Sequence, residues 1–409
     1  PGTARRWLVN TRRSSRTSNG GGGSAGGAKG TGSLEREALR RASVEGARTP
    51  FQLTFKEGAL GMHWHRPPRT ALVVVKTRGE EEVERAAEGL LHHLVHVRGM
   101  RVYLEPEQLQ EVEAKGVLQP GEARTWGSAE APPMRIPAEL AAALDFAVTL
   151  GGDGTVLWLT QLFGLAPPPP VLSLSLGSLG FLAPHSGRHA ATSVDRVIAG
   201  GFRLELRHRL HVRIVRGAAW AAPPGAGLEG GVAGEDDEEL EFEVLNEVVV
   251  DRGSTPFLTK MDCYCGDTFV TNVQGDGIII STPTGSTAYN LAAGGSMVHP
   301  AVPCILFTPI CPHSLSFRPL VFPDDVRLRV ELPPDCRGSN FASFDGKSRT
   351  ELRPGDAVHV HLSNMPVPTV CLAEPSQDWL SAITESLRWN DRMTQKALAP
   401  RPAAAGAAH

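Results

Sequence analysis

Phe146-Ala147-Val148-Thr149-Leu150-Gly151-Gly152-Asp153-Gly154-Thr155 is the stretch on which the reading of the fold turns. Five residues suited to a buried strand run straight into two glycines, and the spacing of apolar residues from Thr155 to Phe163 then predicts a helix. A strand that ends in glycine just ahead of a helix is a phosphate-handling position. Glycine lets the backbone approach an anion, and a helix N-terminus offers free N–H groups and a favourable dipole. Asp153 is the odd member, because its charge opposes phosphate; it suits a proton acceptor or a part of a metal's water shell. Taken alone, the same turn also serves a purely structural purpose, with Asp153 as a helix cap.

Working outward, the pattern repeats. Ala71 to Val75 reads as a buried strand, and Val83, Ala87, Leu90, Leu91 and Leu94 recur at helical spacing. Arg101 to Leu104 gives a further short strand, and Val171 to Leu176 another after the punctuation of Pro167 to Pro170. Alternating strand and helix implies an α/β domain with a mostly parallel, Rossmann-like sheet over 64–200. Beyond residue 200 the period becomes two: Leu204, Leu206, Leu210, Val212 and Ile214 face one way and Glu205, Arg207, Arg209, His211 and Arg213 the other. Strands are expected at Leu240 to Val250, Lys260 to Tyr264, Phe269 to Val273, Gly277 to Ser281, Val326 to Leu332 and Val358 to Leu362, making 201–375 an all-β domain. Residues 217–239, rich in Gly, Pro and acid, interrupt it as an exposed loop, with Glu235 to Glu239 a solvated run. Trp379, Ile383, Leu387 and Trp389 predict a closing helix over 376–398.

The ends read differently. Residues 1–63 are expected to be a disordered tail or a transit segment: the first 33 or so contain no acid but have Arg5, Arg6, Arg12, Arg13, Arg16, several serines and a glycine tract. Residues 399–409 are expected to be a second tail. With 409 residues, 41% hydrophobic content and a formal charge of -3, the chain has material for a sizeable core and no basic field that would propose nucleic acid. No run approaches the roughly 20 apolar residues of a membrane-spanning helix. The six cysteines, Cys263, Cys265, Cys304, Cys311, Cys336 and Cys371, lack the spacing of a zinc site and fit a reduced compartment as packing residues.

Two further blocks carry polar groups where a core is expected. Asn246-Glu247 interrupts the apolar run Val244 to Val250, and adjacent strand residues face opposite ways, so one polar group points inward unless the strand lies at an edge. A bound sugar or base would supply the partner it needs. The densest block begins Gly275-Asp276-Gly277, continues through Ile278 to Ile280, then Ser281-Thr282-Pro283-Thr284-Gly285-Ser286-Thr287-Ala288-Tyr289, and ends at Gly294-Gly295. Such a loop can hydrogen-bond a polar ligand, Tyr289 offers an aromatic face for a nucleobase, and Asp276 can accept from a ribose hydroxyl. A Ser/Thr turn of purely structural purpose is the alternative.

These blocks, in this order and together with Gly177 to Leu182, Pro309 to Pro319 and Ser343-Phe344-Asp345-Gly346-Lys347, resemble the eukaryotic NAD kinases, and most closely those of plants and algae. The resemblance runs from about residue 64 to 397. The glycine-aspartate loop is shared with phosphofructokinases and some lipid kinases; the block from Gly275 to Tyr289 is far more specific. The resemblance implies an α/β domain and an all-β domain with the active site between them. It also implies ATP-dependent phosphorylation of the adenosine ribose 2′-hydroxyl of NAD, with Mg²⁺ or another divalent cation carried by the phosphates. Asp153 matches the catalytic aspartate, and Gly152, Gly154 and Thr155 lie beside it in the dinucleotide site. Asn246 and Glu247 match the pair that holds NAD, and Asp276 a carboxylate at the nicotinamide half. Thr287, Ala288, Tyr289, Asn290 and Ala292 match the loop around the dinucleotide. Gln274 stands where some bacterial relatives have a basic residue, and Lys347 falls near another contact region. No protein-held metal is expected. The expected partners are small-molecule nucleotides and further copies of the chain as a homo-oligomer, not nucleic acid or membrane, in cytoplasm or chloroplast. A lipid kinase would need an apolar cleft that the sequence does not display, and an NAD sensor without turnover would not need Asp153.

Overall fold

The structure is a computed structural model that describes residues 51–56, 59–75, 81–127, 135–177, 180–217, 240–336, 338–373 and 375–390. A ten-stranded sheet builds the first half. Its strands run Phe51–Lys56, Ala59–Trp64, Phe202–Arg207, Val367–Cys371, Val171–Ser175, Phe146–Leu150, Thr70–Val75, Arg101–Tyr103 and Ala123–Arg124 from edge to edge, with His185–Ser186 beside Val171–Ser175. The neighbours from Val171–Ser175 to Ala123–Arg124 are parallel, as the strand–helix alternation requires. Helices cover both faces. Val83, Ala87, Leu90 and Leu91 of Glu81–His92, with Val194 and Val197 of Ala190–Ala199, pack on Ala71, Val73 and Val148. Val156, Leu159, Leu162 and Phe163 of Asp153–Phe163 pack on the opposite face against Leu72, Val74 and Ala147. Successive residues of one strand thus serve two cores, which is why these strands are apolar throughout.

The second half is a sandwich of two six-stranded sheets. One sheet orders Leu240–Val244, Leu210–Val215, Ala357–Leu362, Arg327–Glu331, Thr259–Cys265 and Thr268–Gly275; the other orders Leu320–Pro323, Cys304–Ile310, Gly277–Ser281, Glu247–Asp251, Asn340–Phe344 and Lys347–Leu352. Their inner faces share a core that includes Val212, Val250, Ile278, Phe307 and Val330. Cys263 is buried in it and Cys265 lies half-buried against it. Among the described residues no helix is long and apolar enough to cross a membrane.

The structure corrects the boundaries expected from sequence. Phe51–Lys56 and Ala59–Trp64 form an antiparallel hairpin inside the stretch expected to be a tail, and Phe51, Leu53, Leu60 and Met62 join the first core. Phe202–Arg207 and Val367–Cys371 belong to the first sheet rather than the β domain, because Leu204, Leu206 and Val370 fill that same core. The two-residue period runs on through Leu210 but the chain changes sheets at His208-Arg209. The single strand expected from Leu240 to Val250 is two strands in different sheets, separated by a corner at Leu245-Asn246. The closing helix is Pro375–Leu387 and does not contain Trp389; Arg388 leaves it at φ 48. The expected tails at 1–50 and 399–409, residues 391–398 and all but Gly217 of the insertion lie outside the described residues.

Candidate active site at the junction of the two halves

Asp153 opens its helix with Gly152 as cap. Its carboxylate does not cap that helix. It reaches across to the 180–183 loop, where Oδ1 accepts the amides of Leu182 at 2.9 Å and Ala183 at 3.2 Å and Oδ2 accepts that of Phe181 at 3.1 Å. Gly180 makes room for this: a Cβ there would lie 1.9 Å from Asp153 Oδ1. A carboxylate has about four acceptor sites, so three amides fix its orientation and leave one lone pair toward the half-open side. Gly154 is exposed and Thr155 buried on the same turn.

Asn246 and Glu247 sit at the sheet-changing corner, and what shapes that corner is Asp345, which sequence reasoning quoted but gave no role. Its buried carboxylate accepts the amides of Leu245 at 2.9 Å, Asn246 at 2.7 Å and Glu247 at 3.2 Å, in place of ladder partners. Burial raises the Asp345 carboxyl to about 6, against the pull of those amides and of Arg209. Burial, with the Asp345 charge second, raises Glu247 to about 8, partly offset by the Tyr289 amide N–H that donates to it. Glu247 is therefore a neutral acid at pH 7, with an O–H to donate as well as a carbonyl to accept. Asn246 Oδ1 and Glu247 Oε2 are buried with no hydrogen-bond partner among the described residues. Buried polar atoms are seldom left unpaired, and these two belong to successive residues of the corner.

The 275–295 loop lies against this corner. A Cβ on Gly285 would lie 2.3 Å from the Asn246 carbonyl oxygen, so only glycine permits the approach, and Thr282 N–H donates to that same carbonyl at 2.9 Å. Tyr289 is 43% exposed. Desolvation first, and then the nearby charges of Asp251, Cys311, Asp276 and Glu247, raise its hydroxyl above the ordinary range. Asp276 Oδ1 is held 2.8 Å from Arg252 Nε, a partner the sequence did not suggest. Thr287 and Ala288 line the loop half-buried, and Ala292 is exposed on the short helix Tyr289–Ala292.

Two expected contacts receive different roles. Asn290 is wholly buried: Nδ2 donates to Ser286 O at 3.0 Å and Ser296 O at 3.1 Å, and Oδ1 accepts from Thr308 at 2.6 Å. These bonds tie the short helix Tyr289–Ala292 to the strand Cys304–Ile310. Gln274 is exposed, bonds Asn272, and lines a groove with Thr271, His313 and Ser314.

The two halves are joined directly beneath these groups. Leu245, next to Asn246, is fully buried in the first half's core with Val156 and Leu159 of the Asp153 helix and with Leu182 and Ala183, whose amides Asp153 accepts. Arg209, also fully buried, donates to Met365 O at 2.5 Å, Gly164 O at 3.0 Å and Ala166 O at 3.4 Å, and stands 3.5 Å from Glu243. It ties the end of the Asp153 helix to the second half. The Asp153 loop and the Asn246-Glu247 corner are thus neighbours through one continuous core. Among the described residues no three His, Cys, Asp or Glu side chains converge as a metal-ligand set.

Residues 72–202 match the family model of the ATP-NAD kinase N-terminal domain, and residues 245–372 that of the C-terminal domain. The chain belongs to the NAD kinase family. It is 45% identical over 348 residues to probable NAD kinase 1 of Oryza sativa subsp. japonica, matching 83% of this chain and 60% of that one. It is 44% identical over 340 residues to NAD kinase 2, chloroplastic, of Arabidopsis thaliana, matching 82% of this chain and 32% of that one. The chain therefore spans less than two thirds of these NAD kinases. Among solved structures, yeast NADH kinase complexed with NADH superposes with a TM-score of 0.71 at 28% identity, covering 85% of this chain and 96% of the other. An α/β half with a mostly parallel sheet and an antiparallel β half are thus the NAD kinase architecture, as expected from sequence.

Proposed function

We propose that the chain transfers the γ-phosphoryl group of ATP to the 2′-hydroxyl of the adenosine ribose of NAD, giving NADP and ADP. The ribose oxygen attacks phosphorus, the bond to the β-phosphate oxygen breaks, and the hydroxyl proton passes to the remaining lone pair of Asp153. The observation that carries this reading is the pair of buried atoms without a partner among the described residues, Asn246 Oδ1 and Glu247 Oε2, at the corner packed on the Asp153 loop. A ribose diol, donor and acceptor at once, complements an amide oxygen and a neutral carboxylic acid. Tyr289 offers its exposed face for base stacking beside them, with Thr287, Ala288 and Asp276 around the same opening. Gly152, Gly154 and Thr155 lie at the helix N-terminus suited to phosphate.

Phosphoryl transfer depends mostly on positioning and charge neutralisation; general-base help contributes roughly 10²- to 10⁴-fold. A divalent cation such as Mg²⁺, bound chiefly by the phosphates, supplies the neutralisation. The named activities of the rice, Arabidopsis and yeast relatives support the reading. A cytoplasmic or chloroplast setting goes with this reading, and the Arabidopsis relative named chloroplastic is compatible with it. Assembly as a homo-oligomer is supported by the exposed apolar side chains Leu315, Leu320 and Val321 around one edge of the second half. The test is product analysis: purified protein with ATP, Mg²⁺ and NAD should yield a dinucleotide that an NADP-specific dehydrogenase reduces. Consumption of ATP without that product contradicts the proposal.

A further inference from the structure

The junction holds a second constellation that the reaction above does not use. Trp158 lies five residues after Asp153 on the same helix, about 7–8 Å along its axis. Its indole N–H donates to both carboxylate oxygens of Glu105, each at 2.9 Å. Glu105 lies two residues past the end of the parallel strand Arg101–Tyr103 and is the N-cap of Pro106–Ala114, so it sits at the carboxyl edge of the sheet, where ligands of such folds bind. From the other half, the Lys347 ammonium stands 4.4 Å from the Trp158 ring centroid. Lys347 follows Asp345 after one glycine at φ 72, and Asp345 is the carboxylate that holds the Asn246-Glu247 corner. The cation, the ring and the carboxylate form one unit: burial raises the Glu105 carboxyl above its ordinary range, and the Trp158 N–H and the Lys347 charge draw it back.

We propose that Trp158 and Lys347 form an interdomain clamp, seated on Glu105, that fixes the Asp153 carboxylate relative to the Asn246-Glu247 corner. Both are positioning residues, and Lys347 acts through the indole rather than as a dinucleotide ligand. The geometry is independent of any reaction; its kinetic consequence rests on the NAD kinase reading. The clamp ties the helix that begins at Asp153 to the turn that sets the sugar-holding corner, so releasing it misaligns the reacting groups and leaves each binding surface whole. Small misplacements lower turnover more than binding.

Trp158→Leu and Lys347→Met are each expected to lower kcat about five-fold with KM for NAD changed less than about two-fold, in line with a cation–π contact of about 1 kcal/mol. The double variant should be no worse than the poorer single variant, because each removes the same contact. Trp158→Phe, which keeps an aromatic face, and Lys347→Arg, which keeps the cation, should regain most of the loss. Hydrogen exchange supplies a readout free of catalysis: Trp158→Leu should speed exchange at residues 245–247 and 345–347, remote from it in sequence. Losses that multiply in the double variant, a change confined to KM, or exchange unchanged at those segments would overturn the clamp. A wild-type protein that makes no NADP removes the NAD kinase reading, and hydrogen exchange then decides the clamp alone.

Discussion

Glu247→Gln should make the protein more stable in alkali while leaving it unchanged in mild acid. Burial first, and the Asp345 charge second, raise this carboxyl from 4.5 to about 8. The folded protein thus keeps a proton that the unfolded chain gives up between those values. Stability attributable to Glu247 is full below about pH 4.5 and is lost as pH climbs to about 8. Between pH 5 and 8 that is three units at about 1.4 kcal/mol each, or a loss on the order of 4 kcal/mol. Glutamine has the shape of the neutral acid, can accept the Tyr289 amide, and carries no proton to lose. Urea unfolding of both proteins without nucleotide, at intervals from pH 5 to 9, gives the difference directly. Asp345, raised to about 6, is present in both and cancels. The variant should match wild type at pH 5 and exceed it by on the order of 4 kcal/mol at pH 9. Parallel curves would mean that Glu247 titrates as an ordinary solvated carboxyl, and the case for a neutral acid holding the ribose would fail.

Gly180→Ala should lower turnover by at least about ten-fold with little effect on global unfolding, because its Cβ, 1.9 Å from Asp153 Oδ1, forces the carboxylate out of its amide cradle; normal steady-state turnover would show the cradle unimportant. Arg209→Met should destabilise by about 3–5 kcal/mol, since it leaves the carbonyls of Gly164, Ala166 and Met365 and the Glu243 carboxylate without their buried partner. Chemical denaturation reads this, and a loss under about 1 kcal/mol would contradict the bridging role.

What the sequence made legible was local. The strand ending in Gly151-Gly152, the helix after it and the loop from Gly275 to Tyr289 are written in contiguous residues, and the structure brings them to one junction. Where long-range partners decide, the sequence was silent. The corner at Leu245-Asn246 looks like the middle of an apolar strand because its shaping carboxylate, Asp345, lies 100 residues from Leu245. The alternation from Leu204 to Ile214 is interrupted in sequence only at His208, yet Leu204 and Leu206 serve one core, Leu210, Val212 and Ile214 the other, and the polar Arg209 is wholly buried between them. The hairpin Phe51–Trp64 was hidden because short alternating strands carry little signal until the edge they extend is known. Asn290 reads from sequence as one more polar loop residue, and only the coordinates reveal the bonds that tie it to Ser286, Ser296 and Thr308.

On the proposed reading Asp153, held by three loop amides, takes the proton of a sugar gripped at the Asn246-Glu247 corner. Single-turnover NADP formation by wild type and Asp153→Asn, with NAD dissociation constants for both by calorimetry, examines it most directly. The asparagine should bind NAD within about three-fold of wild type while its phosphoryl transfer falls by roughly 10²-fold or more. Near-normal transfer by Asp153→Asn at unaltered affinity would remove Asp153 from the chemistry.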